Sequence, residues 1–381
     1  MALYDCIIVG AGPAGASAAY HLSKQGHRIL LLEKAALPRY KPCGGGVSPE
    51  IAQWFDFDFE PVISQKVTRT RYSWKVSEAI EADLETPIWM VRRNEFDHYI
   101  VQQAQRQGTV LRDRTKVTGI QFENDRWQIQ TSGQTSSETF EGTYLIAADG
   151  GRGPMAQWLG FNTRKTAVAG AIEIEPKVAV EDGHIAHFEF GLLKNGYVWN
   201  FPKRDGYSIG SGVFFGTNQR KGRDLVQPMV DYAAAFGVDG EDEQKYGHPV
   251  GLWDGDRILH TQNALLAGEA ACVVDPLTAE GIRPSIFTGV KAAEAIARAL
   301  SGDTEALADY TKLIATELGS EMRLASRLAK VFYRAPGLSY KAILHSPSAI
   351  RTMGRVITGD LKYADIVQKA MKRLSGGLLT R

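Results

Sequence analysis

Residues 5–33 constrain the fold of this chain more than any other stretch. An apolar run, Cys6 to Val9, meets Gly10-Ala11-Gly12-Pro13-Ala14-Gly15, and an Ala-rich segment follows to Ser23. A turn at Gln25-Gly26-His27 leads into a second apolar run, Ile29 to Leu32, which stops at Glu33 and Lys34. Strand, glycine turn, helix, turn, strand and acid in this order predict a βαβ unit. Gly10 permits the tight turn, Gly12 lets the backbone approach a pyrophosphate, and Gly15 lets helix and strand pack closely. The helix start around Ala14 offers unpaired N–H groups and a partial positive charge to phosphate. Glu33, twenty-three residues after Gly10, can accept hydrogen bonds from a ribose hydroxyl pair. The stretch therefore predicts a bound dinucleotide, without by itself separating FAD from NAD.

At 381 residues the chain has room for two domains, or for one large domain carrying an insertion. With 44% hydrophobic and 23% charged residues it reads as a globular protein. No apolar run approaches the ~20 residues of a membrane-spanning helix. The first strand begins almost at once, so the expectation is a cytoplasmic protein without a signal or transit peptide. Three cysteines fit a reducing compartment rather than a disulfide framework. The net charge of +1 is unevenly spread: Met322 to Arg381 holds twelve Lys and Arg against two Asp and Glu. Such asymmetry predicts that the C-terminal segment faces something anionic, a membrane surface or an acidic electron carrier. Nucleic acid is not expected, because the basic stretch lacks a docking motif.

After Glu33, two prolines and then Gly44-Gly45-Gly46 exclude a helix or a central strand. Ile51 to Pro87 shows no clear period. A helix is predicted from Val91 to about Gln107, then short strands at Val110–Arg112, Val117–Phe122, Trp127–Thr131 and Tyr144–Ala148, the last stopping at Asp149-Gly150. Period-two alternation from Val168 to about Ser211 predicts antiparallel strands with one wet face. Helices are expected at 222–236 and 282–300, a strand at Ala264–Ala267, and mainly helix from Thr304, broken at Pro336-Gly337 and near Pro347.

Four further stretches carry a resemblance. Pro38-Arg39-Tyr40-Lys41-Pro42-Cys43-Gly44-Gly45-Gly46 resembles a Pro-x-x-Tyr…Cys-Gly segment, and Arg93-Asn94-Glu95-Phe96-Asp97 an Arg-x-x-Phe-Asp helix start. Gly268-Glu269-Ala270-Ala271, with Pro276 and Gly281-Ile282 downstream, is similar to a second FAD fingerprint, although Glu269 stands where Asp is usual and Ala279 where Gly is frequent. Gly196-Tyr197-Val198-Trp199-Asn200-Phe201-Pro202 resembles a Tyr-x-Trp-x-Phe-Pro strand. Together they resemble the geranylgeranyl reductases, FAD-dependent oxidoreductases with a p-hydroxybenzoate hydroxylase-like fold.

The resemblance implies an α/β protein. Its parts would be an interrupted Rossmann-like FAD-binding domain (1–60, 88–160, 262–303), an inserted antiparallel-sheet substrate domain (61–87, 161–261) and a basic helical C-terminal segment (304–381). It implies FAD held by Gly10, Gly12, Ala14, Gly15, Glu33, Lys34, Cys43, Gly44, Gly45, Arg93, Val117, Asp149, Gly150, Gly268, Glu269, Pro276, Gly281 and Ile282, with no metal. Cys43, Tyr197 and Trp199 would line the substrate pocket. Cys6 and Cys272 are expected to be packing residues. The implied activity saturates C=C bonds of a polyprenyl chain with hydride from reduced flavin, drawing on NADPH or ferredoxin. A flavin monooxygenase or a non-redox flavin cyclase on the same scaffold is the alternative.

Overall fold

The computed structural model describes residues 3–133, 137–161, 168–215, 223–344 and 346–368. Its first sheet is built on the strand Leu3–Val9, flanked in parallel by Ile29–Leu32 and Ser137–Ala147; Val110–Arg112 and Ala264–Leu266 extend it outward, also in parallel. Sequence and packing agree here. Strands covered on both faces need unbroken apolar runs, and Ile7, Ile8, Leu30 and Leu31 are fully buried. Helix Pro13–Lys24 lies against helix Ile282–Leu300 so closely that a Cβ on Gly289 would stand 2.2 Å from the Ala14 carbonyl oxygen. A two-stranded meander, Lys116–Glu123 and Arg126–Ser132, pairs onto Ser137–Ala147.

The second sheet runs in the order Tyr246–Gly251, Val168–Ile174, Gly206–Val213, Gly196–Lys203, Ile185–Phe190, Ile63–Trp74, Glu78–Val91 and Gly46–Val47. Neighbours are antiparallel, apart from Ile185–Phe190, which runs parallel to Ile63–Trp74. The hairpin Ile63–Val91 occupies the stretch that shows no period. Its outer half stands in solvent, where cross-strand pairs such as Arg69–Asp83 and Arg71–Glu81 replace apolar alternation.

The expected wet face is corrected by the structure. Ile174, Val198 and Ile209 are buried on one side under helix Arg223–Ala233. Glu173, on the other side of its strand, is only 1% exposed. The alternation in this block separates a packed core from a cavity wall, not core from water.

Helices Ala306–Leu313, Gly319–Arg334, Pro336–Leu344 and Pro347–Thr358 follow, and residues 369–381 of the basic segment lie outside the described residues. Two side chains tie these helices back to the body. The Ser48 hydroxyl donates to the Thr358 carbonyl, and the Tyr340 hydroxyl donates to the Tyr72 and Glu78 carbonyls. No helix among the described residues is long and apolar enough to cross a membrane.

Candidate active site

One cavity of about 1370 Å³ runs from the Gly10–Ala14 turn, along the Cys43–Gly46 loop, to the C-terminal helices. It gathers nearly every residue singled out in the sequence. Gly10, Gly12, Ala14, Glu33, Lys34, Val117, Asp149 and Gly150 line one end. Cys43, Gly44, Gly45, Arg93, Gly268, Glu269, Gly281 and Ile282 line the middle, and Tyr197 and Trp199 the far end. Gly15 and Pro276 do not reach it. A Cβ on Gly15 would sit 1.9 Å from the Gly10 carbonyl oxygen, so its part is the helix–strand contact.

At the first end, Gly10 takes φ +104° with no space for a Cβ, which would lie 2.3 Å from the Ala148 carbonyl oxygen. Gly12 is open by contrast: among the described residues, only Arg39 Nη2, at 3.7 Å, comes within 4 Å of its Cβ position. The helix that starts at Pro13 has neither a side-chain cap nor an acid in its first turn. Its positive end is left for an anion. Arg39, which the sequence reading left unassigned, links two carboxylates here, with Nε 3.4 Å from Glu33 and Nη1 3.3 Å from Asp97. Asp97 in turn receives both Nε and Nη2 of Arg93, at 2.7 and 2.9 Å. Glu33 accepts the Ala11 and Ala35 amides, each at 3.0 Å.

The Cys43–Gly46 loop is clamped from the second sheet by two buried ions. Glu173 accepts the Cys43 amide and the Tyr40 hydroxyl, both at 2.7 Å, and the Ser208 hydroxyl at 3.0 Å. Lys203, 0% exposed, donates to the carbonyls of Gly44 at 2.6 Å and Val91 at 3.0 Å. Gly44 faces the aromatic strand, and a Cβ there would lie 2.7 Å from the Phe201 ring and 3.2 Å from Trp199 Nε1. Cys43 is partly buried on this wall. Cys6 and Cys272 are buried away from the cavity, as expected of packing residues.

Glu269 reaches across to the second sheet. Its carboxylate accepts the Gly251 amide at 3.0 Å, stands 3.2 Å from His248 Nε2 and lies 3.7 Å from Lys41 Nζ. Burial opposes its charge, yet His248, Lys41 and the Gly251 amide outweigh burial and hold the carboxyl down to about 2. The methylene that distinguishes Glu from Asp supplies the reach for this bridge.

A prediction follows. A carboxyl whose pKa is lower in the folded chain stabilises it fully above the unfolded value, and that stability is lost as pH falls through the folded value. Glu269 accordingly contributes about 3 kcal/mol that disappears between roughly pH 5 and 2. Glu269→Gln is expected to unfold at lower urea at pH 7 and to show a flatter acid limb. An unchanged acid limb in this variant would assign the titration to other groups.

At the start of helix Ile282–Leu300, Gly281 and Ile282 line the cavity. Glu280, beside them, accepts the Arg283 amide on Oε1 at 2.7 Å. Burial, only partly offset by Arg283, raises its carboxyl to about 7. Asp149 accepts the Met155 amide on Oδ2, while Oδ1 is buried and receives no hydrogen bond from the described residues. Burial raises that carboxyl to about 6.

The far end is apolar. Tyr72, Phe188, Phe190, Tyr197, Trp199 and Phe201 form one wall, and Leu328, Phe332, Met353 and Ile357 of the C-terminal helices form the opposite one. The Tyr197 hydroxyl is spent on the Thr278 carbonyl at 2.8 Å, which leaves its ring as surface.

The open position beside Gly12, the uncapped start of helix Pro13–Lys24 and the orphaned Asp149 oxygen fit a flavin dinucleotide laid along this groove. Such a groove, joined without a partition to an apolar chamber, defines an FAD-dependent oxidoreductase. The FAD binding domain family matches residues 4–205. An uncharacterized protein of Methanosarcina barkeri is 31% identical to this chain, over 96% of this chain and 94% of its own length. The digeranylgeranylglycerophospholipid reductase of Methanococcus vannielii is 25% identical over 97% and 94%. In fold, a geranylgeranyl bacteriochlorophyll reductase-like protein of Thermoplasma acidophilum superposes with a TM-score of 0.79, covering 93% of this chain and 91% of its own at 20% identity. This chain belongs to the FAD binding domain family of FAD-dependent oxidoreductases.

Proposed function

We propose that this enzyme saturates C=C bonds in the polyprenyl chain of a lipid. The observation that carries this reading is the continuity of the nucleotide groove with an aromatic and aliphatic chamber that offers a long apolar chain burial and few polar contacts. The reductase activity named for the Methanococcus vannielii relative supports it.

In this reading Gly10, Gly12, Ala14 and Arg39 hold the pyrophosphate, Glu33 and Lys34 the ribose end, and Asp149 a hydroxyl of the linking chain. Gly44, Gly45, Gly281 and Ile282 would hold the ring end of the cofactor. FAD bound there would, when reduced, supply the hydride for one alkene carbon. Tyr197, Trp199 and Phe201 position the chain and exclude water, and Cys43 forms part of the same wall. Glu280 holds the proton for the other carbon on Oε2, the oxygen not engaged by the Arg283 amide.

Enzyme reduced with dithionite and given a lipid bearing geranylgeranyl chains is expected to increase the lipid's mass in two-hydrogen steps. No gain would refute the reading, and the gain of an oxygen mass in a parallel aerobic incubation with NADPH would assign oxygenation instead. The electrons come from NADPH or a ferredoxin; anaerobic bleaching of the flavin by one and not the other decides between them.

A further inference from the structure

The outward face of helix Gly319–Arg334 is basic and interrupted by an exposed apolar residue. Arg323, Arg327, Lys330 and Arg334 follow at steps of four, three and four, which places them on one side of the helix. Arg323 pairs with Asp256. Arg327, Lys330, Arg334, and Lys341 on the next helix, are exposed and have no ion pair among the described residues. Glu321, the acid of this helix, is turned inward onto the Tyr363 amide at 2.6 Å.

Within this stripe Val331 is 69% exposed, and just past the corner at Ala335 Leu338 is 74% exposed. Val331 also lines the cavity, as do Leu328 and Phe332 beside it, so the apolar chamber opens to the outside here. The tip of the long hairpin stands at the same corner: the Trp74 ring packs 5.4 Å from Tyr340, and Val76 is 58% exposed. One exposed acid, Glu78, lies at that tip. Large exposed apolar residues set among unpaired cations at the mouth of an apolar chamber have the composition of a bilayer-facing surface, not of a solvated helix face.

We propose that this corner docks on an anionic phospholipid bilayer, with Val331 and Leu338 entering the headgroup boundary and Arg327, Lys330, Arg334 and Lys341 on the phosphates. The prenyl chain then passes from the membrane through the mouth at Val331 without crossing water; this second part rests on the chamber being the prenyl site.

The test uses the full-length flavin-loaded protein and vesicles of phosphatidylcholine, with and without phosphatidylglycerol. Wild type is expected to co-sediment with the anionic vesicles and to be released by about 0.5 M salt. The triple variant R327Q/K330Q/R334Q is expected to lose roughly 100-fold in partition. Leu338→Asp is expected to lose roughly 10-fold. Both variants keep wild-type turnover on geranylgeranyl diphosphate in solution. Partition that ignores anionic lipid and all of these substitutions overturns the docking, even if the soluble substrate is reduced. Partition that follows them supports it, even if no prenyl substrate is ever reduced. Should vesicles be ignored while a plant-type ferredoxin binds through the same three cations, the face belongs to a protein partner and the proposal fails.

Discussion

Glu280→Gln is expected to lower turnover of a prenyl substrate by roughly 100- to 10,000-fold, the usual contribution of a positioned general acid. Flavin content should not change, because a glutamine oxygen still accepts the Arg283 amide that caps the helix. Two readouts separate a proton-holding role from a structural one. Wild-type turnover should fall as pH rises through about 7, where the carboxyl empties, and the residual activity of the variant should lack that fall. Stability should move as well. A carboxyl whose pKa is raised on folding stabilises the folded chain below its unfolded value, and this is lost as pH rises through the folded value. Urea midpoints of wild type are therefore expected to decline between about pH 4.5 and 7 from this group, and Glu280→Gln should remove that decline. Wild-type turnover in the variant would sink the assignment and leave the proton to another cavity group or to water.

Lys203→Met is the second large effect. Burial pulls this ammonium below the usual lysine range, against the opposing pull of Glu175 and Glu173. The substitution strands the Gly44 and Val91 carbonyls and leaves buried acids without their cation. Removing one partner from such an arrangement costs about 3–5 kcal/mol. For a chain of this size that is a melting-temperature drop of about 5 °C. Adding Glu175→Gln should return part of the loss, because only Glu173 is then left without the cation. Strict additivity in calorimetry would show that Lys203 acts alone. Prenyl turnover of the single variant should also fall, since the Gly44 carbonyl fixes the loop against the Phe201 wall.

The cofactor end was legible in the sequence because its requirements are local. Gly10, Gly12 and Gly15 meet backbone demands within six residues, and the helix boundary at Ile282 follows from the glycine before it. The groups that clamp the site were harder to see. Lys41 and His248 stand 3.2 Å apart across 207 positions of sequence, a contact with no local signature. Glu173 was read as water-facing because charge alternating with isoleucine ordinarily marks a wet face; here that face is the cavity wall. Lys203 carried no such signal either: it ends its strand and adjoins Arg204 and Asp205, as a turn cation would. The C-terminal helices were visible as helices and as a basic segment. That Phe332 and Met353 complete the chamber depends on contacts with strands more than a hundred residues away.

Two parts of the cavity are encoded far apart: the Gly10–Ala14 turn and the Cys43–Gly46 loop fall within the first fifty residues, and the helices opposite the aromatic strand fall after residue 318. Substitutions at Leu328, Phe332, Met353 or Ile357 can thus reshape the space left for an apolar chain while the phosphate turn stays untouched. A lineage built this way can explore longer, shorter or more branched substrates by drift in one terminal region, and keep its redox chemistry throughout.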